Sequence, residues 1–175
     1  MVNHLPMDQK RLETLYDQWA EAMYHFALGL AGHEDIAKDL VQETLIKVSK
    51  DQNFFIKAHD ERAYLFKMIR NALIDHVRKD SSWKKRGERW GNDMGLISPA
   101  NDPDEQEFVK WLEQALAELP EKQRSVALMH LWEGMTFAEI GKVCGISSNT
   151  AASRYRYALD KMRDQLRPLY EEIKT

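Results

Sequence analysis

The sequence predicts an all-α fold in which two small helical domains are joined by a flexible linker, with a helix-turn-helix in the C-terminal domain. Apolar residues recur at spacings of three and four through most of the chain, as they do on helices with one buried face. Alternating β-branched and aromatic runs between turn residues, which would indicate hairpins, are nearly absent. Residues 89–106 are rich in Gly, Pro, Asn and Asp without any period, which indicates a linker.

Three helices are predicted before the linker. Residues 12–30 and 33–50 each carry one apolar stripe, and a third helix is expected over 61–79. The stretch that precedes the third helix, DQNFFIKAHD, is loop-like. The predicted N-terminal domain therefore covers residues 1–88.

The predicted C-terminal domain covers residues 107–175. Its first helix, residues 107–119, is stopped by Pro120, because proline cannot continue the hydrogen-bond ladder and restricts the residue before it. The next helix starts at this proline and ends at Gly134, which follows the usual placement of proline at the start of a helix and glycine after its end.

A short helix and a tight turn come next. Thr136, with Glu139 three residues later, predicts a capping box for a helix over 137–143. Gly141 lets the following helix approach closely, and Gly145 takes the turn. Two helices joined by a short glycine-containing turn have the geometry of a helix-turn-helix, whose second helix can enter the major groove of DNA.

The last helix is N-capped by Ser147 and is expected to end near residue 166, since Pro168 follows. Its apolar stripe leaves small polar residues and arginines facing outward, the types that contact phosphate and purine edges. These candidate DNA-binding residues are Ser148, Asn149, Thr150, Ser153, Arg154 and Arg156. The alternative is an ordinary helical hairpin with a solvated basic face.

Charge along the chain is strongly segregated. The net charge is −3, yet residues 62–90 carry nine basic and three acidic side chains, while residues 91–123 carry two and eight. Such a chain can present a basic surface to phosphate although it is acidic overall.

Two helices before the linker carry candidate binding faces. On the third helix, Lys67, Asn71 and Arg78 fall on one side, opposite an apolar stripe on which His76 is expected as a core or helix-end residue. On the second helix, acidic, amide and apolar side chains share a face that suits a protein interface, with a solvated surface as the alternative. These residues are Asp39, Gln42, Glu43 and Ile46.

The composition also excludes several classes of site. Cys144 is the single cysteine, which rules out an intramolecular disulfide and a cysteine zinc site and indicates a packed thiol. No apolar run reaches the length of a membrane span and the N-terminus lacks a signal-peptide pattern, so we expect a soluble cytoplasmic protein. The six histidines have no metal-ligand spacing and no Gly-rich phosphate loop follows a strand, which argues against an enzyme, a metal or a cofactor.

Residues 115–166, from ALAELPEKQR to MRDQL, resemble domain 4 of the sigma-70 family, in particular its extracytoplasmic-function group. HEDIAKDLVQETLIKV and RAYLFKMIRNALIDHVRK resemble two segments of that family's domain 2. The resemblance implies a promoter-specificity subunit of RNA polymerase without catalytic residues of its own. Domain 2 would cover residues 1–88 and domain 4 residues 107–175.

The resemblance also implies roles for the candidate faces. The helix-turn-helix residues would read the −35 promoter element, and the face of Lys67, Asn71 and Arg78 the −10 element. Phe54 or Phe55 would line a pocket for a flipped base, unless both are simply buried. The second helix would grip the clamp helices of the largest polymerase subunit, and an anti-sigma factor is an implied partner.

One departure from the family pattern lies in the recognition helix. The family usually has a valine and a lysine after the threonine, and this chain has Ala151 and Ala152 instead. One contact to phosphate or base is therefore in doubt. Trp83 and Trp90, interleaved with basic residues in SSWKKRGERW, would either bind single strands or belong to the solvated start of the linker.

An alternative function remains open on sequence alone. A two-domain transcriptional regulator would bind duplex DNA through the same helix-turn-helix, with the N-terminal domain as a sensor or dimeriser. Such a regulator would bind its operator without polymerase, usually as a dimer on two half-sites.

Overall fold

The computed structural model describes residues 9–51, 53–80, 95–97 and 103–173, and within these ranges it contains helices and no strand. The helices are α1 (Gln9–Ala31), α2 (Glu34–Lys50), α3 (Phe54–Lys57), α4 (Glu61–Lys79), α5 (Pro103–Ala117), α6 (Glu121–Leu131), α7 (Phe137–Cys144) and α8 (Ser148–Ile173). The all-α prediction is confirmed, with α1–α4 forming an N-terminal half and α5–α8 a C-terminal half.

The N-terminal half is a bundle of α1, α2 and α4 around apolar side chains from all three. The rings of Phe26 and Phe66 stack with centroids 4.5 Å apart, which joins α1 to α4. Asp60 caps α4, since its carboxylate accepts a hydrogen bond from the backbone N–H of Ala63 at 3.0 Å. The bounds of α4 are those predicted.

The C-terminal half packs α5, α6 and α7 against the long helix α8. Arg124 closes the end of α5, because its Nη1 donates to the carbonyl oxygens of Ala117 and Leu119 at 2.8 and 3.2 Å. Its burial lowers the pKa of the guanidinium to about 10, so the group stays charged at neutral pH. A buried cation here satisfies carbonyls that the helix itself leaves without donors.

Helices α7 and α8 form the predicted helix-turn-helix. Both bonds of the capping box between Thr136 and Glu139 are present, and Gly145 adopts the left-handed conformation with φ of 67°. A Cβ atom at Gly141 would lie 2.6 Å from the carbonyl oxygen of Ile146, closer than real contacts allow. Glycine at this position therefore permits the two helices to approach as closely as they do.

Several helix bounds differ from the predictions by one to three residues, among them the end of α6 at Leu131 instead of Gly134, and three differences are larger. Part of the loop-like stretch is the one-turn helix α3, because the ring of Phe54 is drawn into the core beside Tyr64. Helix α5 begins at Pro103, inside the predicted linker, since proline suits the first turn of a helix. Helix α8 continues through Pro168, where the carbonyl that loses its donor belongs to the exposed residue Asp164.

The two halves pack against each other over one continuous core. Helix α1 crosses α6, where a Cβ atom at Gly29 would lie only 2.7 Å from a methyl carbon of Leu128. Helix α4 packs against α7. The linker prediction covers 95–97, and there the backbone N–H of Leu96 donates to Glu113 Oε1 on α5 at 2.8 Å.

We expect Gly141→Ala to lower the free energy of unfolding by about 1–3 kcal/mol, the cost of overpacking a close contact. The added methyl group collides with a backbone oxygen, which cannot rotate away as a side chain could. Urea unfolding followed by circular dichroism measures the change. Lys142→Ala, at the exposed neighbouring residue, is the control, and an equally stable Gly141→Ala variant would contradict the close approach.

Candidate nucleic-acid and protein interfaces

The first turns of α8 carry the six predicted DNA-binding residues. Three of them are exposed at its N-terminus: Ser148, Asn149 and Thr150. Ser147 caps the helix, because its Oγ accepts a hydrogen bond from the N–H of Thr150 at 3.1 Å. The other three are the half-buried Ser153 and Arg154 and the exposed Arg156, whose Nη2 lies 3.4 Å from Ser153 Oγ.

The two alanines that depart from the family pattern differ in their environment. Ala151 is fully buried and belongs to the packing stripe of α8, whereas Ala152 is half-buried beside it. Neither contributes a hydrogen-bonding side chain to the face of α8 that carries Ser153 and Arg156.

His130 holds the helix-turn-helix from behind, a role that the sequence did not reveal. Its ring stacks on Phe137 at 4.5 Å and meets the edge of Tyr155 at 4.6 Å, so it joins α6 to both helices of the motif. Its Nδ1 donates to the carbonyl oxygen of Met135 at 2.8 Å. A histidine between aromatic rings fixes the position of α8 relative to α6 and α7 by packing.

The capping box also affects the charge of Glu139. The carboxylate of Glu139 accepts hydrogen bonds from the backbone N–H and from the hydroxyl of Thr136, at 2.6 and 2.8 Å. These bonds lower the pKa of Glu139, with the backbone bond as the largest cause. The negative charge lies in the first turn of α7, where the helix dipole favours it.

Helix α4 presents the predicted basic face to solvent. Lys67, Asn71 and Arg78 are all exposed, while the apolar stripe opposite them is buried. Val77 is exposed beside Arg78. The structure therefore brings the three polar residues together on one accessible surface, as the helical spacing predicted.

The phenylalanines before α4 are not equally available. Phe54 is fully buried, with its ring edge-on to Phe55 at 5.1 Å, which is the alternative that the sequence left open for it. Phe55 is half-buried, and the guanidinium of Arg11 lies over its ring at 4.2 Å. Ile56 is the exposed apolar side chain among the described residues of this segment, at 73% of its surface. Phe54 is buried because its ring packs against Tyr64 of α4. The loop-like composition of this segment did not reveal that contact.

The second helix keeps its mixed face. Asp39 and Gln42 are exposed and Ile46 is 45% exposed, whereas Glu43 is tied into contacts within the protein. Lys47 Nζ donates to one oxygen of Glu43 at 2.6 Å and His76 Nε2 to the other at 3.0 Å. Both hydrogen bonds lower the pKa of Glu43, with the one from Lys47 as the larger cause.

His76 is therefore neither a core residue nor free in solvent. It lies exposed near the end of α4 and links this helix to α2 through Glu43. The apolar stripe ends before residue 76, because α4 projects beyond the bundle there. The prediction of a core residue is wrong and that of a helix-end residue is confirmed.

An open groove of about 530 Å³ runs between α1 and α2. Apolar side chains line most of it, among them Leu12, Tyr16, Val41, Leu45 and Ile46. Tyr16 is exposed over half of its surface and was not among the predicted residues. The predicted protein-binding face of α2 thus borders an apolar depression rather than a uniformly polar surface.

Other kinds of site are not found among the described residues. In those ranges no three His, Cys, Asp or Glu side chains gather as a metal site would require. The helices described are also too polar or too short to traverse a lipid bilayer. Cys144 is half-buried, and burial raises the pKa of its thiol. Trp83 and Trp90 lie outside the described residues.

A basic helical face and a solvent-facing helix-turn-helix on one all-α chain define a DNA-binding protein of the transcription machinery. The family model of sigma-70 region 2 matches residues 15–82, and that of sigma-70 region 4 matches residues 110–162. The chain belongs to the sigma-70 family, in its extracytoplasmic-function group. It is an alternative sigma factor that binds core RNA polymerase and directs initiation at promoters, which decides against the regulator that acts without polymerase.

Relatives and a solved structure agree with this assignment. The chain is 30% identical over 167 residues to the ECF RNA polymerase sigma factor SigL of Mycobacterium tuberculosis, covering 90% of each chain. It is 25% identical over 166 residues to the ECF RNA polymerase sigma factor RpoE of Cereibacter sphaeroides, covering 91% of this chain and 88% of the relative. The sigma factor RpoE of Bartonella quintana, solved in complex with the anti-sigma factor NepR, superimposes with a TM-score of 0.71 at 26% identity, over 90% of this chain and 98% of that chain.

The charge on Glu139 should make the stability of the C-terminal half depend on pH. Because the folded pKa lies below the ordinary value, the ionised carboxylate stabilises the fold above that ordinary value, and the gain is lost as the pH falls through the folded pKa. We expect Glu139→Gln to cost about 0.3–1 kcal/mol at pH 7 and less than that at pH 3. Thermal unfolding of both proteins at the two pH values measures this, and an equal difference at each pH would contradict it.

Proposed function

We propose that three separate faces of this sigma factor divide its work. The first turns of α8 read the −35 element, the polar face of α4 reads the −10 element, and the face of α2 beside the groove binds core polymerase. We further propose residues 1–88 as domain 2, 89–106 as the linker and 107–175 as domain 4. The observation that carries the proposal is the helix-turn-helix of α7 and α8, closely packed at Gly141, with Ser148, Asn149 and Thr150 exposed at the N-terminus of α8.

The outer side of α8 suits duplex DNA. Its N-terminus offers backbone N–H groups and short hydroxyl and amide side chains, which can lie close to phosphates and base edges. Arg154 and Arg156 follow one turn later, and arginine can donate two hydrogen bonds to a guanine. Ser148, Asn149, Thr150 and Ser153 complete this proposed −35 face.

The face of α4 suits a single strand. Lys67 and Arg78 can track phosphates, and Asn71 between them offers both a donor and an acceptor to an unpaired base. In the segment before α4, Phe55 remains a candidate for stacking once Arg11 moves from its ring. Phe54 would need to leave the core, so we do not assign it this role.

The surface of α2 suits a protein partner. Asp39, Gln42 and Ile46 are accessible, and Ile46 also lines the apolar groove. Glu43 supports this surface through its bonds to Lys47 and His76 and is available through its exposed part. A partner helix that fills the groove would bury Tyr16 together with Ile46, the kind of apolar anchor that dominates interface energetics.

Three further properties are proposed with the function. The protein performs no chemistry of its own, because the polymerase forms the phosphodiester bonds. It works in the cytoplasm, where promoter DNA and polymerase are found. An anti-sigma factor is a candidate partner, because the Bartonella quintana structure holds a sigma factor of similar fold in such a complex.

In vitro transcription from a random promoter library tests the proposed function. Core polymerase is supplied with and without this protein, and start sites that depend on it are aligned to give both promoter elements. Initiation without defined upstream elements would contradict the assignment of the two DNA-reading faces.

We expect Arg154→Ala to weaken use of the −35 element by about 1–3 kcal/mol while binding to core polymerase is unchanged. Loss of the guanidinium removes hydrogen bonds to DNA. Arg154 is far along the chain from α2, so the proposed polymerase-binding face is not changed. Arg163→Ala is the matched control, since Arg163 lies further along α8 and pairs with Asp160. Transcription that is unaffected by Arg154→Ala would indicate that α8 only packs.

We expect the double substitution Gln42→Ala and Ile46→Ala to weaken affinity for core polymerase by about 1–3 kcal/mol and to leave recognition of the −35 element unchanged. These substitutions leave the bonds of Glu43 intact, so α2 and α4 stay linked. Binding to labelled core polymerase is measured by fluorescence anisotropy, with Lys50→Ala as the exposed control on the same helix. Unchanged affinity in the double variant would exclude this face as the polymerase site.

A further inference from the structure

Arg70 lies on α4 but faces the C-terminal half of the molecule. Its Nε donates to Glu121 Oε1 at 2.7 Å and its Nη2 to Oε2 at 3.2 Å, so a planar guanidinium meets a carboxylate at two points. Only 9% of Arg70 is exposed. Ser125 Oγ lies 3.0 Å from the same Oε1, which fixes the carboxylate in place.

A second arginine of α4 also contacts the C-terminal half. Arg62 Nη1 donates to the carbonyl oxygen of Glu133 at 2.9 Å, and its Nη2 lies 3.7 Å from Glu139. Near these polar contacts, Gly29 and Leu128 form the close crossing of α1 and α6. The helix that carries the proposed −10 face is therefore joined to the helix-turn-helix half by two arginines.

This closed arrangement is too small to reach both promoter elements. The names of the elements place them about 25 base pairs apart, which is roughly 85 Å of duplex at ~3.4 Å per base pair. A compact chain of 175 residues has a radius of gyration of about 16 Å and is roughly 40 Å across. The two halves must therefore separate before α4 and α8 can occupy both elements, and separation breaks the pair between Arg70 and Glu121.

We propose that Glu121 occupies the place of a DNA phosphate at Arg70, so that the closed form masks a further DNA-binding residue. Once the halves separate, Arg70 binds a backbone phosphate of the promoter strand beside Asn71 and Lys67. A carboxylate and a phosphate both fit the two-point geometry of a guanidinium. Arg70 follows Lys67 by three residues, about one turn, so the two side chains are neighbours on the surface of α4. The inference rests on the proposed −10 face.

The experiment compares four variants of the full chain in two measurements. Small-angle X-ray scattering reports whether the halves separate, without any DNA. Fluorescence anisotropy with a labelled single-stranded oligo(dT) of about 12 nucleotides reports phosphate binding across a range of salt concentrations. The variants are Glu121→Gln, Arg70→Gln, Gly29→Leu and Lys67→Ala, with Glu107→Gln as the control for the loss of one exposed negative charge.

Glu121→Gln should increase the radius of gyration and tighten binding to the oligonucleotide by up to about tenfold, the limit if about 90% of the wild-type chain is closed and the closed form binds much more weakly than the open form. Gly29→Leu should open the halves in the same way through steric conflict with Leu128, and leucine favours the helix more than glycine does. Arg70→Gln should also open the halves but should not tighten binding. Its slope of log affinity against log salt should be about 0.7 smaller than that of Glu121→Gln, as expected for one lost phosphate contact.

The outcomes separate this inference from the proposed function. If Glu121→Gln behaves as Glu107→Gln does in both measurements, Glu121 does not mask Arg70 and the proposal is wrong. If Arg70→Gln and Glu121→Gln open equally and bind with the same affinity and slope, Arg70 binds no phosphate. If Lys67→Ala leaves binding intact while scattering still shows opening in the other variants, the −10 face is wrong and the closure stands.

Discussion

The missing side chain at Gly29 sets the distance at which the two halves of this protein meet. Leu128 fills the space that a Cβ atom would take, so α1 and α6 cross in direct contact. Because this crossing is close, the apolar residues of both halves merge into one buried cluster. The polar pairs at the same junction, between Arg70 and Glu121 and between Arg62 and Glu133, are shielded from water only as long as the crossing holds.

Two buried arginines make different kinds of contact: Arg124 within the C-terminal half and Arg70 between the halves. Arg124 stays within the C-terminal half, where it donates to carbonyl oxygens at the end of α5 and desolvation lowers its pKa to about 10. Arg70 crosses between the halves and meets a full negative charge. A cation paired with neutral carbonyls adds rigidity to one domain, whereas a cation paired with a carboxylate on another domain can exchange that partner for a different anion.

Local signals in the sequence predicted most of the architecture. The bounds of α4, the capping box at Thr136, the left-handed turn at Gly145 and the close approach at Gly141 all depend on residues near one another in the chain. The exposed polar faces of α4 and α8 followed from helical periodicity for the same reason. These signals act within one or two turns, so a single sequence reveals them.

The features that were missed depend on contacts between distant segments. Burial of Phe54, the hydrogen bond between His76 and Glu43 and the aromatic stack around His130 require that separate helices already be packed. The contact of Gly29 with Leu128 likewise joins helices that are distant in the chain. Periodicity identifies which face of a helix is apolar, but it does not identify the helix that covers it.

The hydrogen bonds from 95–97 to Glu113 have a mechanical consequence for the connection between the halves. With Leu96 held against α5, the chain from Asp80 to Leu96 can span at most about 55 Å if fully extended. Without these hydrogen bonds the limit is that of the chain from Asp80 to Pro103, about 80 Å. The hydrogen bonds to one carboxylate on α5 therefore limit how far the N-terminal and C-terminal halves can separate.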